Sequence, residues 1–321
     1  MKKVVCTMEN PYEISAEQAD RIKNLCWKYG YETVFCQRDE AYEHVSDAEV
    51  IYAYDPKLLT VAEEVKWFAS TWAGVNAYLS GGALRKGTVL TNARGCFGVT
   101  IAEHMITVLL MMMRRIPEHQ ENLRRGVWRH DQQMETLYGK NVLVIGIGDI
   151  GSRYARLARA FEPKKIVGVN RSGRDAGPAF DETRPASELD ELLPDADVIA
   201  MALPETGETR NTLSRERIAM LKESAYIVNV GRGTSIDEDA LAEALNAGKV
   251  AGAALDVFRV EPLPEDAPIH NAKNVLITPH CAGQMGAEIT RELHVQLFLD
   301  NLERYFNGEE LRNVIDPAKG Y

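Results

Sequence analysis

The chain has 321 residues, enough for about two domains of ordinary size. Hydrophobic residues make up 45% and charged residues 26%, which excludes a mainly disordered chain, a collagen and a coiled coil. The 37 Lys and Arg against 47 Asp and Glu give a net charge of −10, which argues against nonspecific binding to nucleic acid or to anionic membranes.

The cysteines predict neither a disulfide framework nor a metal site. Their number is odd and no C-x-x-C pair occurs, so we expect no structural zinc and a reducing, cytoplasmic location. Residues 1–6 carry positive charge without a long apolar region after them, so they predict no signal peptide. The longest apolar run, 105–113, is far shorter than the ~20 residues that span a bilayer, so no membrane segment is expected. The five cysteines are Cys6, Cys26, Cys36, Cys96 and Cys281.

Short β-rich runs alternate with helical patterns over the first hundred residues. A helical pattern over 16–29 ends at Gly30, a typical residue after a helix. Alternation of strand and helix predicts an α/β fold with a parallel sheet covered by helices. The strands of this part are predicted at 3–6, 33–36, 50–54 and 67–71.

The second half begins with a helical pattern over 100–125, whose apolar stripe predicts core packing. A final helical pattern runs from 286 to 306. Between them, strands are predicted at 141–145, 165–169, 197–202, 225–230, 252–256 and 275–278.

A glycine-rich turn follows one of these strands and opens an amphipathic helix. Gly146, Gly148 and Gly151 form a G-x-G-x-x-G in the strand–turn–helix context of a dinucleotide-binding site. The first glycine permits the tight turn, the second lets the backbone approach a pyrophosphate, and the third lets helix and strand pack closely. The helix that starts with Asp149 and Ile150 offers its N-terminal N–H groups to the phosphates.

The end of the next strand predicts the choice of cofactor. Sites for NAD usually place an acid there for the ribose 2′-hydroxyl, but Asn170 stands at that position, nineteen residues after Gly151. Asn170 would not repel a 2′-phosphate, Arg171 can pair with it, and Ser172 and Arg174 can add contacts. The loop therefore predicts NADP(H), with NAD(H), dual use or a merely solvated loop as alternatives.

The order of motifs resembles the D-isomer-specific 2-hydroxyacid dehydrogenase family over nearly the whole chain. The resemblance implies two α/β domains with parallel sheets around a central cleft that holds the substrate. A dinucleotide-binding Rossmann domain would span 99–286, and a flavodoxin-like substrate domain would comprise 1–98 plus 287–321. Two long helices, near 100–125 and 286–306, would connect them. The motifs are the glycine-rich turn, 203–206 with Thr209 and Thr212, 229–233, 254–258, 261–262 and 278–283.

The family pattern implies Arg232, Glu261 and His280 as the catalytic set, and the chemistry of these residues agrees. An arginine at the end of a strand can bind a carboxylate with its fixed fork. Histidine is the residue type best suited to a general acid–base, and Glu261 can orient the ring of His280 and stabilise its protonated form. Taken alone, each could be structural: a core histidine, a surface ion pair or a solvated acid. Their ordered occurrence with the glycine-rich turn favours the site.

Further contacts are implied by resemblance alone. The carboxylate of a substrate would meet backbone N–H groups of Ala73, Gly74 and Val75, unless this is an ordinary βα turn. Cys281 is interpreted as a small neighbour of His280 and not as a nucleophile, because hydride transfer needs no covalent intermediate. The cofactor residues are Thr100, Leu203, Pro204, Thr209, Val230, Gly231, Arg232, Asp256 and His280. Apart from the resemblance, residues that could shape the substrate pocket are Tyr54, Trp72, Arg94, Cys96 and Met285, with a second anion contact or a surface ion pair as the alternatives for Arg94.

These features predict an NADPH-dependent oxidoreductase that reduces 2-oxo acids to D-2-hydroxy acids and forms a homodimer, the dimer by resemblance only. Glyoxylate, hydroxypyruvate and bulkier 2-oxo acids are possible substrates. Phosphoglycerate and formate dehydrogenation are rival activities. A regulated phosphoglycerate enzyme is disfavoured because no added C-terminal regulatory domain is expected here. Formate oxidation is disfavoured because it does not require an acid–base pair. A cofactor-sensing binding protein of the same fold, similar to a transcriptional corepressor, is the alternative from another class.

Overall fold

The computed structural model describes residues 1–7, 14–79 and 84–317, which form two compact units. The first unit contains Met1–Phe97 and Gln284–Tyr321, and the second contains Gly98–Gly283. Each unit has its own sheet, with five strands in the first and seven in the second. All pairings between strands are parallel, so the predicted α/β class is confirmed.

The first unit is a parallel sheet with the strand order 2-1-3-4-5. Its strands are β1 (Lys2–Thr7), β2 (Tyr31–Cys36), β3 (Ala48–Ala53), β4 (Trp67–Ser70) and β5 (Val89–Thr91). Its helices are α1 (Ala16–Lys28), α2 (Ala41–His44), α3 (Asn76–Leu79) and, at the end of the chain, the helix Glu288–Asn307, called here the final helix.

Local signals in the sequence set the ends of α1. Ser15 and Gln18 form a capping box, in which each side chain accepts from the other residue's backbone N–H. Gly30, with φ +78°, follows the helix in the left-handed conformation that ends many helices. The buried face of α1 packs into one apolar cluster with the sheet and with Val295 and Phe298 of the final helix.

The second unit is a parallel sheet with the strand order 12-11-10-9-6-7-8. Its helices are α4 (Gly98–Met113), α5 (Ile116–Arg124), α6 (Asp149–Arg159), α7 (Leu189–Leu192), α8 (Arg215–Ile218) and α9 (Glu238–Asn246). Its strands are β6 (Asn141–Ile145), β7 (Lys165–Asn170), β8 (Glu182–Pro185), β9 (Val198–Met201), β10 (Tyr226–Asn229), β11 (Gly252–Leu255) and β12 (Val275–Ile277).

The single helix predicted over 100–125 is wrong, because the structure has two helices there. The chain breaks at Arg115, which has φ +52° and separates α4 from α5. Pro117 lies in the first turn of α5, where its missing N–H removes no helical hydrogen bond. The apolar stripe predicted for core packing lies on α4, where Ile101, Met105 and Leu109 are buried.

The parallel sheet of the second unit gathers the predicted motifs at one edge. Because its strands run in one direction, the loops that follow β6, β7, β9, β10, β11 and β12 all leave from their carboxyl ends, where open α/β sheets bind ligands. Over the described part of the chain, no helix combines the length and apolar character that crossing a membrane requires. The same residues contain no cluster of His, Cys, Asp and Glu suited to a metal ion.

Candidate active site

The glycine-rich turn between β6 and α6 has room for a phosphate group. Gly146 has φ +94°, and a Cβ there would lie 2.7 Å from the carbonyl oxygen of Ala202. A Cβ at Gly151 would lie 2.1 Å from the carbonyl oxygen of Gly146. At Gly148, the N-cap of α6, a Cβ would meet nothing within 4 Å. Two glycines thus serve packing within the protein, whereas Gly148 borders open space at a helix N-terminus, which fits a dinucleotide pyrophosphate.

Asp149 takes part in this turn through its backbone, since its side chain points elsewhere. One carboxylate oxygen accepts from Nε of Arg153 at 2.8 Å. The other oxygen is buried, has no hydrogen-bond partner among the described residues, and faces Gly98, where a Cβ would lie 1.8 Å from it. The carboxylate therefore lies at the contact between α4 and α6. What Asp149 and Ile150 offer a cofactor is therefore the backbone of the first turn of α6.

The loop after β7 borders a groove of about 590 Å³ beside Ile147 and Gly148. Arg171, Ser172 and Arg174 line this groove and are exposed. The side chain of Asn170 also lines it but is occupied in shaping the loop. Its Oδ1 accepts from the backbone N–H groups of Ser172 and Gly173 at 3.0 and 2.6 Å, and its Nδ2 donates to the carbonyl of Arg174 at 2.7 Å. The positive charge at this groove comes from the two arginines, and Asp175 is the one acid that lines it.

Glu208 is a residue of this region that sequence reasoning missed. Its Oε2 lies 2.6 Å from Nη2 of Arg171, and both side chains are about two-thirds exposed (71% and 67%). The ion pair joins the loop after β7 to the loop after β9, so no spacing within one motif could have indicated it. The only signal in the sequence was an acid between Pro204 and Thr209, two residues that the resemblance assigns to the cofactor.

The loop after β9 is a tight turn held by its own threonines. Thr209 Oγ1 donates to the carbonyl of Pro204 at 2.7 Å and accepts from the N–H of Thr206 at 2.8 Å. Leu203 lies directly against Gly231, where a Cβ would be 2.6 Å from its backbone nitrogen and oxygen. Of the predicted cofactor residues, Leu203 thus adjoins Gly231, while Pro204 and Thr209 are hydrogen-bonded to each other within the same turn. Val230, one residue before Gly231, is buried.

Arg232 follows β10 in an extended conformation and is half-buried. Its carbonyl accepts from Asn229 Nδ2 at 3.1 Å and from Ser235 Oγ at 2.7 Å, and its Nη1 donates to the carbonyl of Gly231 at 2.7 Å. Arg232 and Glu261 line one cavity of about 310 Å³. The structure therefore brings two of the three predicted catalytic residues to the same cavity.

His280, the third residue of the predicted catalytic set, is paired with Glu261. Nδ1 of His280 lies 2.6 Å from Oε2 of Glu261, while Oε1 of Glu261 accepts from the N–H of Phe258 at 2.8 Å. A carboxylate can only accept, so Nδ1 carries the hydrogen and Nε2 is the ring nitrogen that can exchange a proton with a ligand. The two side chains are 43% and 35% exposed, so they are open to a ligand. This is the geometry of an oriented acid–base pair.

Asp256 holds the segment around His280. Its side chain is 3% exposed, and its Oδ1 accepts from Thr278 Oγ1 at 2.6 Å and from the N–H of Cys281 at 2.9 Å. Its Oδ2 accepts from the N–H of Ala282 at 3.1 Å. Burial, followed by the charge of Asp256, raises the pKa of the Cys281 thiol, which disfavours a thiolate nucleophile at this position.

In the first unit, the turn after β4 presents unpaired backbone donors. Within the described residues, the N–H groups of Ala73, Gly74 and Val75 have no hydrogen-bond acceptor. A side chain fixes the turn, because Asn92 Nδ2 donates to the carbonyl of Ala73 at 2.7 Å. Three successive free N–H groups in a fixed turn can bind an anion such as a carboxylate.

Two of the candidate pocket residues of the first unit, Tyr54 and Trp72, belong to an aromatic cluster with Phe97. The rings of Tyr54 and Trp72 are 5.3 Å apart, and those of Trp72 and Phe97 are 6.1 Å apart. Arg94 is exposed, with Nη2 3.4 Å from Asn313 Oδ1, and Cys96 is buried. The carbonyl of Met285 accepts from Nη1 of Arg291 at 2.7 Å. Thr100 lies elsewhere, half-buried in the first turn of α4 in the second unit.

A parallel sheet, an open glycine-rich turn and an oriented acid–base pair define a nicotinamide-dependent dehydrogenase. The family model for D-isomer specific 2-hydroxyacid dehydrogenases, NAD binding domain, matches residues 106–282. The chain belongs to this family and is an oxidoreductase, as the resemblance predicts.

Relatives and a solved structure support the assignment. Glyoxylate/hydroxypyruvate reductase B of Pectobacterium carotovorum is 32% identical over 237 residues, which cover 72% of this chain and 73% of the relative. D-3-phosphoglycerate dehydrogenase of Methanocaldococcus jannaschii is 33% identical over 292 residues, 87% of this chain but 54% of that enzyme. A D-isomer specific 2-hydroxyacid dehydrogenase from Xanthobacter autotrophicus, in complex with NADPH and MES, superposes with a TM-score of 0.82 at 26% identity, covering both chains completely.

Proposed function

We propose that this protein is an NADPH-dependent reductase that converts 2-oxo acids to D-2-hydroxy acids. The observation that carries the proposal is the hydrogen bond between His280 Nδ1 and Glu261 Oε2, at 2.6 Å, next to the cavity that Arg232 and Glu261 share. Reduction of a 2-oxo acid needs a cation for its carboxylate and a proton donor for its carbonyl oxygen. Arg232 and His280 are these two groups.

The residues act in a fixed order of roles. When bound, the nicotinamide supplies the hydride. Arg232 holds the substrate carboxylate and keeps the carbonyl in place, because a guanidinium matches a carboxylate in a bidentate manner. His280 gives its Nε2 proton to the carbonyl oxygen, and Glu261 stabilises the imidazolium before this transfer. In the oxidation direction the neutral Nε2 accepts the proton instead.

Each unit has a binding role of its own in this proposal. In the second unit, Gly148 would hold the pyrophosphate of the cofactor, and Thr100, Val230 and Asp256 would adjoin its nicotinamide. In the first unit, the N–H groups of the 73–75 turn would bind a carboxylate. The side chains that limit the size of the substrate are Tyr54, Trp72, Arg94, Cys96 and Met285.

The preference for NADPH rests on charge. Asn170 stands where sites for NAD usually place an acid, and Arg171 and Arg174 outnumber the one acid that lines the groove, Asp175, so a 2′-phosphate would meet net positive charge. The Xanthobacter family member, whose structure contains NADPH, supports this choice. The relative named glyoxylate/hydroxypyruvate reductase supports reduction as the working direction and small 2-oxo acids as substrates.

The test is a set of initial rates with NADPH and NADH over glyoxylate, hydroxypyruvate, phenylpyruvate and 2-oxohexanoate. We expect turnover with NADPH well above that with NADH, and a D-configured product from each substrate except glyoxylate, whose product has no stereocentre. His280→Ala should lower kcat by about 10²- to 10⁴-fold while NADPH fluorescence still reports binding.

Faster turnover with NADH would refute the cofactor preference and leave the dehydrogenase activity standing. Turnover confined to 3-phosphohydroxypyruvate, or to formate oxidation, would replace the proposed substrate class. Cofactor binding without turnover on any of these compounds would favour a sensing role.

A homodimer in the cytoplasm completes the proposal. Six large apolar side chains between residues 116 and 138 are at least 40% exposed, and Trp128 reaches 84%. Such a concentration is typical of a surface that binds a partner, here a second copy of the chain. All five cysteines are free thiols, as expected in a reducing compartment. The apolar side chains are Ile116, Leu123, Val127, Trp128, Met134 and Tyr138.

A further inference from the structure

The backbone at His280 is held in a conformation that residues with a Cβ rarely adopt. Its φ is +49°, in the left-handed region, so neighbouring contacts must stabilise it. Three successive N–H groups do so by donating to Asp256. The N–H of His280 donates to the carbonyl oxygen of Asp256 at 2.9 Å. The N–H of Cys281 donates to Oδ1 of Asp256 at 2.9 Å, and that of Ala282 donates to Oδ2 at 3.1 Å. The direction of the Asp256 carboxylate therefore determines where the imidazole is placed.

Thr278 orients that carboxylate. It follows β12, and its hydroxyl donates to Asp256 Oδ1 at 2.6 Å, which is a short, charge-assisted hydrogen bond. Since Asp256 is 3% exposed, its orientation depends on protein donors more than on bulk solvent. The hydroxyl of Thr278, two residues before His280, thus orients the carboxylate of Asp256.

His104, on α4, makes the next contact in the series that starts at Asp256 and Thr278. Its Nε2 lies 3.3 Å from Thr278 Oγ1 and 4.0 Å from Asp256 Oδ1. The one hydroxyl proton of Thr278 goes to Asp256, so the contact with His104 must use an oxygen lone pair, and Nε2 must carry the hydrogen. Burial lowers the pKa of His104 although Asp256 opposes the shift, which agrees with a neutral donor.

We propose that Thr278 and His104 are positioning residues that fix His280 through Asp256. Glu261 holds the imidazole ring by Nδ1, whereas the series His104, Thr278 and Asp256 holds the backbone that carries it. The inference rests on the proposed function, because it assigns residues to the placement of the proposed acid–base group.

The first test compares Thr278→Val, which keeps the shape and removes the hydroxyl, with Thr278→Ser, which keeps the hydroxyl. We expect kcat of the valine variant to fall about 10- to 100-fold, because a small displacement of a reacting group is costly. The dissociation constant of NADPH should stay within about twofold, since the phosphate-binding turn is untouched. The serine variant should keep kcat within about threefold.

A second pair tests His104 independently and remains informative if the valine variant does not fold. His104→Gln can place an amide N–H where Nε2 lies, whereas His104→Leu cannot. We expect a fall in kcat of about tenfold for leucine only. Equal kcat within each pair, or a loss of NADPH affinity that matches the loss of kcat, would overturn the proposal.

A spectroscopic measurement separates this proposal from the proposed function. The imidazole ¹H–¹³C signal of His280, identified by its disappearance in His280→Asn, should shift or broaden in Thr278→Val and stay in place in Thr278→Ser. If the wild-type protein turns over no substrate but the signal behaves in this way, the proposed function fails and the positioning role stands. An unchanged signal in Thr278→Val would overturn the positioning role.

Discussion

At the scale of single residues, Arg171 has two competing partners. Its guanidinium pairs with Glu208 at 2.6 Å in the structure, and the proposed function gives it to the 2′-phosphate of NADPH. The two anions cannot both take the same face of the guanidinium without repelling each other. Glu208 should therefore limit the preference for NADPH.

Glu208→Gln should raise kcat/KM for NADPH by about three- to fivefold, because an exposed ion pair contributes up to about 1 kcal/mol. The value for NADH should remain within about twofold, since NADH has no 2′-phosphate to compete. Steady-state kinetics with both cofactors measures the change. Glu223→Gln is the matched control, because it removes the same charge from an exposed pair with Lys249. An equal change for both cofactors would contradict this role of Glu208.

The catalytic set was the part of the site most accessible from sequence, because each residue follows a strand in a recognisable motif. In the structure, Glu261 and His280 are hydrogen-bonded and Arg232 shares a cavity with Glu261, while the catalytic roles stay predictions. Asn170 and Thr209 were harder to interpret. Short polar side chains of this kind often bind nearby backbone groups, and here both shape the loops in which they lie. Spacing alone does not distinguish that task from ligand binding.

At the scale of elements, the final helix is tied to the sheet of the first unit by a buried polar contact. Tyr305 donates its hydroxyl to Glu49 Oε1 at 2.9 Å, and Tyr31 donates to the same oxygen at 2.6 Å. Burial opposes ionisation of Glu49, but donation by the two tyrosines, Lys2 and Lys66 outweighs it and lowers its pKa to about 2. The carboxylate is therefore charged in the folded protein at neutral pH.

Tyr305→Phe should destabilise the protein by about 1.5 to 3 kcal/mol at pH 7, because a hydrogen bond to a charged group is lost. Urea unfolding at several pH values measures the effect. The lowered pKa makes the stabilisation by ionised Glu49 complete above about pH 4.5 and progressively lost toward pH 2, so the difference should shrink over that window. Tyr29→Phe, which removes a hydroxyl 3.3 Å from Asn307 at the surface, should cost less than about 0.5 kcal/mol. Similar costs for both variants would contradict the importance of Glu49.

The interior strands and the edge strands β2 and β12 were predicted from the sequence, whereas the edge strands β5 and β8 were not. The strands β6, β9, β10 and β11 are continuous apolar runs because helices cover both faces of a parallel sheet. The edge strands β5 and β8 have three and four residues, and β8 has no fully buried position, so neither gives such a run. The break between α4 and α5 was missed because the apolar spacing outweighed the signal of Pro117.

At the scale of the whole molecule, the proposed homodimer depends on the exposed apolar residues between 116 and 138. Trp128→Glu should convert dimer to monomer in sedimentation velocity, because it places a charge in a surface that would lose its water. Trp27→Glu is the matched control, since Trp27 is 71% exposed on α1 of the first unit. A dimer that persists in the first variant, or dissociates equally in the second, would place the interface elsewhere.

The division of the chain also has a consequence for biosynthesis. The second unit is one continuous segment, Gly98–Gly283, whereas the first unit is assembled from both ends of the chain. Val295, Phe298 and Leu302 of the final helix fill the apolar cluster beneath α1, so that cluster cannot close until the ribosome has made them. During translation the second unit can therefore fold first. Until the final helix is made, the residues before the second unit keep part of their apolar core exposed. Ribosome-bound intermediates that stop near residue 283 should then be protected from protease in the second unit and cleaved in the first.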